Sequence, residues 1–239
     1  MISPEGRVVM ISGANRGIGK AIAGSLYDAG FDLSLACRRP EMLEPFLAGL
    51  DDDRVFTARY VAEDKTTHGA WVNGTLAKFG RIDGLVNNAG IWDAVSVDDP
   101  EDNEEALDRM WAINVKGPLS MTRLALPSLR KSGSGRVINV ASLAGKFVYD
   151  GGVGYSMTKF AAVALSHATR HAGFADGVRC TALCPGYVAT DLTSKVESTP
   201  MSDMTSAEDL AELVRTVMCL SNTASVAELV VNCRADISA

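Results

Sequence analysis

Ser142 is followed thirteen positions later by Tyr155, and Tyr155 four positions later by Lys159. Side chains four apart on a helix share a face, so an ammonium would sit beside a phenol and favour its ionised form, which makes an acid/base pair. The apolar run 136–141 reads as a buried strand, and a hydroxyl just past it, at Ser142, stands where open α/β sheets bind ligands. Alone, this spacing decides little, because an aromatic ring packed under a lysine stem has the same pattern.

The elements that would position these groups are visible as periodicity. Apolar, branched runs at 7–12, 32–37, 54–61, 82–87, 136–141, 178–184 and 228–233 have the length and character of strands buried on both faces. Amphipathic stretches lie between them near 16–29, 41–49, 65–79, 103–131, 154–173 and 206–221. Gly30 and Gly80 sit where left-handed helix caps belong, and Asp83-Gly84 reads as a helix stop feeding a strand rather than a hairpin. This alternation predicts an α/β fold with one doubly wound, mostly parallel, seven-stranded sheet and helices on both faces. Pro118 and Pro127 fall inside the 103–131 stretch, so a kink or break is expected there, close to Asn114.

With 239 residues, 47% of them hydrophobic, the chain is expected to form a single domain over 1–239. Its net charge of −6 and pI near 5.1 argue against nucleic acid or an anionic membrane as partner, since both demand a basic face. The first residues lead into a strand pattern rather than a signal peptide, and no apolar run has membrane-spanning length. A soluble, cytoplasmic protein is expected. Five cysteines without C-x-x-C spacing read as buried free thiols.

The first strand runs into Ser12-Gly13-Ala14-Asn15-Arg16-Gly17-Ile18-Gly19. Glycines there permit a tight turn and close approach of backbone to phosphate, while the following helix amino terminus offers free N–H groups: the logic of dinucleotide binding. The second strand ends Cys37-Arg38-Arg39, with arginine where an NAD site carries an acid for the ribose hydroxyls. With Arg16 nearby, this favours NADP(H), leaving NAD(H) as the alternative. The fourth strand ends Asn87-Asn88-Ala89-Gly90, small residues suited to a flat ring or ribose.

Gly13-x-x-x-Gly17-x-Gly19, Asn87-Asn-Ala-Gly90, Asn114, Ser142, Tyr155-x-x-x-Lys159 and Cys184-Pro185-Gly186 occur in an order and spacing that resemble the short-chain dehydrogenase/reductase family, classical type, from about residue 7 to 190. The resemblance implies a Rossmann fold and an oxidoreductase that moves a hydride between NADP(H) and a carbonyl or alcohol. In it Tyr155 would be the acid/base, Lys159 would lower its pKa and hold the nicotinamide ribose, and Ser142 would bind the substrate oxygen. Asn114 would hold a water relaying protons from Lys159. Gly13, Asn15, Arg16, Gly17, Ile18, Gly19, Arg38, Asn88, Ala89 and Gly90 would bind the cofactor, together with Tyr155 and Lys159. Pro185, Gly186, Val188 and Thr190 would line its nicotinamide side. No metal is implied. Family habit also suggests a homodimer or homotetramer, packed through helices that include the one bearing Tyr155.

The chain departs from the family at three places. Ser12 stands where threonine is commoner, Val61 where an aspartate usually holds the adenine amino group, and the end near 228–234 lacks the usual glycine-rich tail. Substrate contacts are expected from Ile91, Trp92 and Asp93, from Phe147, Val148 and Tyr149, and from a mobile loop near 190–205. Competing readings are weaker. His167 and His171 have ligand spacing but no glutamate beside the first, Ser142 lacks a G-x-S-x-G elbow, and Ala21 replaces the hydroxyl a P-loop requires. A cofactor-binding sensor without turnover, or an epimerase on the same fold, remains the alternative function.

Overall fold

The computed structural model describes residues 1–99, 103–148 and 152–235. Tyr149, expected near the substrate, lies outside them. Seven strands form one sheet in the order β3-β2-β1-β4-β5-β6-β7, and every neighbouring pair is parallel. They are β1 Val8–Ser12, β2 Asp32–Cys37, β3 Val55–Arg59, β4 Gly84–Asn87, β5 Arg136–Val140, β6 Arg179–Pro185 and β7 Glu228–Val231.

Alternation along β1 shows why both faces are covered. Val9 and Ile11 pack with Ile22 and Leu26 of helix α1 (Gly17–Ala29) and Leu210 and Val214 of α7 (Ala207–Cys219). Met10 points the other way, to Trp71 of α3 (Lys65–Phe79) and Met121 of α5 (Gly117–Lys131). Successive strand side chains face opposite sides, so a run apolar at every position needs a helix layer on each. Helix α6 (Val153–Gly173) packs against β6 through Ala162 and Val163, which meet Ala182 and Cys184. All five cysteines are free, and four are buried.

The amino ends of the strands are sealed. Arg7, Arg136 and Arg179, all buried, donate to carbonyls of the loops after α5, α6 and α7, including Ser134, Gly177 and Asn222. The carboxyl ends are therefore where a ligand can enter, and the strand order reverses at β1, next to β4, which is where open α/β sheets form a binding crevice.

One stretch differs from expectation, and another shows the expected irregularity without a break. Residues 41–49 form no full helix but a 3₁₀ turn, Pro40–Leu43, and a single helical turn, α2 (Glu44–Leu47), since Pro45 cannot donate the bond that would continue the turn. The stretch 103–131 does not break. Helix α4 (Glu104–Trp111) widens into a π turn, Ala112–Lys116, and passes directly into α5. Pro118 has no N–H for the Asn114 carbonyl four residues back, and the π turn absorbs the mismatch. Pro127 sits inside α5 without ending it.

Candidate active site

A cleft of about 600 Å³ opens over the carboxyl ends of the strands, running from Arg38 and Arg39 past the glycine-rich loop to Ser142, Tyr155 and Lys159. All but two of the sequence-predicted site residues line it directly, namely Gly13, Asn15, Arg16, Gly17, Ile18, Arg38, Asn88, Ala89, Gly90, Pro185, Gly186, Val188 and Thr190 with the three just named. Gly19 and Asn114 stand behind its wall. Ile91 also lines it, whereas Trp92, Asp93, Phe147 and Val148 do not. Trp92 and Val148 are instead exposed.

The glycine loop is held by Ser12 and Asn88. The Ser12 hydroxyl accepts the N–H groups of Asn88 (3.0 Å) and Ala89 (3.1 Å), and the Asn88 amide donates to the carbonyls of Ser12 (2.9 Å) and Gly13 (3.1 Å). A hydroxyl is all this joint requires, which explains why serine serves there. Gly19 is obligatory, because a Cβ would lie 2.4 Å from both the Asn88 Nδ2 and the Gly13 carbonyl oxygen. Asn88 thus acts first as the staple of the loop. Helix α1 starts at Gly17 with no side-chain cap and no acid in its first turn. Its amino-terminal N–H groups are left for an anion, as a dinucleotide diphosphate requires, so these residues fit such a cofactor.

At the far end, Arg38 and Arg39 are exposed at the cleft, and no described carboxylate forms an ion pair with either. Asp32 is taken by Arg54 at the opposite end of β2 (3.4 Å). Beyond β3 the cleft is lined by Tyr60, Ala62 and Glu63 rather than by Val61, whose carbonyl accepts from His68 or faces its ring nitrogen at 3.0 Å. Arg16 does not stand free: it pairs with Asp191 at 2.9 Å.

Ser142 caps the 3₁₀ turn Leu143–Gly145, its oxygen accepting the Ala144 N–H at 3.1 Å. Burial pushes the Tyr155 phenol up to about 12, against which a hydrogen bond with Ser142 pulls it down. Lys159 lies on the same helix face, its Nζ 5.4 Å from the Tyr155 ring centre and donating to the Val140 carbonyl at 2.9 Å. Only 6% of Lys159 is exposed, and burial pushes its amine down to about 8. Burial is the largest cause of both shifts, raising the phenol and lowering the amine. The carbonyl of Val140 is a partner that no side-chain motif announces.

The buried Lys159 gives a pH-linked prediction. The unfolded chain keeps this proton up to its ordinary 10.5 and the folded chain only to about 8, so between those values the unfolded state binds more protons. Its contribution to stability is adverse below pH 8, improves as pH rises to 10.5, and is flat beyond. Denaturant unfolding of wild type and Lys159→Met across that range should show wild type gaining on the variant as pH rises. A pH-independent difference would contradict the buried, depressed amine.

Asn114, in the π turn, clasps Ile91: its Oδ1 accepts the Ile91 N–H and its Nδ2 donates to the Ile91 carbonyl, each at 2.9 Å. The same Nδ2 reaches Thr158 Oγ1 at 3.1 Å, and Thr158 donates to the Tyr155 carbonyl at 2.8 Å. Gly90 fills the space between, since a Cβ there would meet Asn114 Oδ1 at 3.2 Å and Lys159 Nζ at 3.6 Å. Thr158 was missed by sequence reasoning; its only signal was a hydroxyl beside Lys159. His167, offered as a metal ligand by spacing, has its Nε2 2.7 Å from Glu228.

The loop after β6 is tied at its base. Val188 and Thr205 form an isolated parallel bridge, with the Ala189 N–H donating to Thr205 (3.0 Å) and the Thr205 N–H to Tyr187 (3.1 Å). No described helix is long and apolar enough to cross a membrane.

Residues 7–201 match the short chain dehydrogenase family model. An agropine synthesis reductase of Rhizobium rhizogenes is 43% identical over 95% of this chain but only 52% of its own length, so the chain spans about half of that relative. An uncharacterized oxidoreductase of Staphylococcus saprophyticus is 32% identical over 90% of this chain and 85% of its own. Among solved structures, an alcohol dehydrogenase of the archaeon Thermococcus sibiricus complexed with 5-hydroxy-NADP superposes with a TM-score of 0.85 at 29% identity, covering 94% of this chain and 95% of that one. A 3-ketoacyl-(acyl-carrier-protein) reductase of Brucella melitensis complexed with NADH also gives 0.85, at 26% identity over 96% and 97% of the two chains. With its parallel sheet, its glycine-rich loop at the strand-order reversal and Ser142, Tyr155 and Lys159 gathered at one cleft, the chain belongs to the short-chain dehydrogenase family of oxidoreductases.

Proposed function

We propose that the chain is an NADP(H)-dependent oxidoreductase that interconverts a carbonyl and an alcohol, with Tyr155 as the acid/base. The observation that carries this reading is the cleft joining Arg38 and Arg39, which pair with no carboxylate among the described residues, to Ser142, Tyr155 and Lys159 at its other end. When bound, the nicotinamide supplies or accepts the hydride. The protein's part is positioning and proton transfer. Ser142 Oγ donates to the substrate oxygen, and Tyr155 Oη gives that oxygen a proton in reduction or takes one in oxidation. Lys159, held to the Val140 carbonyl, brings positive charge beside the phenol. Asn114 fixes the wall at Ile91 from its place in the π turn.

The word reductase in the names of the agropine synthesis relatives favours the reducing direction. The loop 190–205, hinged at the Val188–Thr205 bridge, would close over substrate and exclude water. Its exposed Leu192 and Met201 suit a substrate with an apolar part. Exposed Leu124, Met157 and Phe160 on α5 and α6 support self-association into a homodimer or homotetramer through that face.

A panel of carbonyl and alcohol compounds followed by NADPH absorbance tests turnover; no activity with any of them, despite tight NADPH binding, would favour a sensor without turnover. Cofactor choice is tested by titration. NADPH is expected to bind more tightly than NADH, and Arg38→Ala to remove roughly ten- to a hundredfold of that preference, the worth of charge-assisted bonds to a phosphate. Equal wild-type affinities would overturn the choice of NADP(H).

A further inference from the structure

The Arg16–Asp191 pair joins segments 175 residues apart, one in the loop that opens α1 and the other starting the 3₁₀ turn Asp191–Thr193. Arg16 Nη1 donates to Asp191 Oδ2 at 2.9 Å. Beside it the two segments touch, since a Cβ on Gly17 would lie 3.2 Å from Thr190 Cγ2. Asp191 is presented by a braced turn: Thr193 Oγ1 donates to the carbonyls of Val188 and Thr190 (3.0 Å to the latter), and Ser194 Oγ donates to the Asp191 carbonyl at 2.8 Å. Both charged side chains are largely exposed, 64% for Arg16 and 73% for Asp191, and both residues line the cleft. Arg16 therefore has two claimants, the carboxylate it now holds and any phosphate that enters beside α1.

A phosphate offers the guanidinium fork the same planar, bidentate recognition as a carboxylate, often with more charge. We propose that Asp191 tunes cofactor affinity by withholding Arg16 from the cleft, so that a dinucleotide phosphate must displace its carboxylate before it can use that cation. The proposal rests on the dinucleotide reading given above, but not on NADP(H) being preferred to NAD(H). An exposed pair is weak, so it taxes binding only by the fraction of time it is closed.

The test is direct titration of NADPH and NADH into wild type, Asp191→Asn, Arg16→Ala and the double variant. Asp191→Asn is expected to tighten NADPH by about three- to fivefold, as release from a weak competing pair implies. Asp191→Glu, which keeps a carboxylate, should stay nearer wild type. In the Arg16→Ala background the Asp191→Asn change should do nothing. Unchanged NADPH affinity in Asp191→Asn would overturn the proposal. Equal tightening with Arg16 absent would overturn it too, because the effect would then be the loss of one negative charge near the cleft. The wild-type ratio of NADPH to NADH affinity judges the cofactor reading separately, and either result can stand without the other.

Discussion

Tyr155→Phe is expected to lower kcat by about 10²- to 10⁴-fold, the usual worth of a positioned general acid or base, while NADPH binding stays close to wild type. The substitution removes one oxygen and keeps the ring that packs beside Lys159. The hydroxyl's partner in the fold is Ser142, so thermal unfolding should move little. Stopped assays with any substrate identified, together with an NADPH titration, separate the two effects. A kcat within a fewfold of wild type would remove Tyr155 from its role. A parallel loss of cofactor binding would show that the ring, not the proton, had mattered.

The second large effect should come from Ser142→Ala, with kcat falling roughly 10²- to 10³-fold, as when one donor to a developing oxyanion is lost. Two consequences distinguish this from simple damage. The hydrogen bond with Ser142 pulls the Tyr155 phenol down against its burial, so removing it should move the Tyr155-dependent limb of the pH–rate profile to higher pH. In oxidation that limb is the rise as the phenol ionises; in reduction it is the fall. Ser142→Thr keeps the hydroxyl and should restore much of the rate. Because Ser142 also accepts the Ala144 N–H, some loss of stability is expected in Ser142→Ala and less in Ser142→Thr. An unshifted pH profile would leave Ser142 as a turn cap only.

Much of this site was legible from residues alone, for reasons that can be named. Central strands covered on both faces are largely apolar, and the two edge strands keep enough branched residues to be read as well, so all seven could be located from runs such as 136–141, with ends displaced by a residue or two. The glycine loop was legible because only glycine suits Gly13 and Gly17, at φ 66° and 52°, or fits the space at Gly19. Proline chemistry marked the neighbourhood of Asn114 but not its form, since a missing N–H can be met by a break, a kink or a π turn. Here packing on both sides kept the helix going. The two prolines near 41–49, at 40 and 45, were the overlooked sign that this stretch would not build a full helix.

The sequence by itself determined the element order, the phosphate-binding turn, the arginines after β2 and the four-residue spacing that puts Tyr155 and Lys159 on one face. These follow from steric and periodic rules that act within a few residues of chain. Only the tertiary structure decided what crosses between segments: the Asn114 clasp on Ile91, the hold of Val140 on Lys159, and the capture of Arg16 by Asp191. It also decided the protonation balance, pushing Tyr155 up and Lys159 down, because desolvation depends on how closely distant elements close around a group and not on which residues adjoin it in the chain.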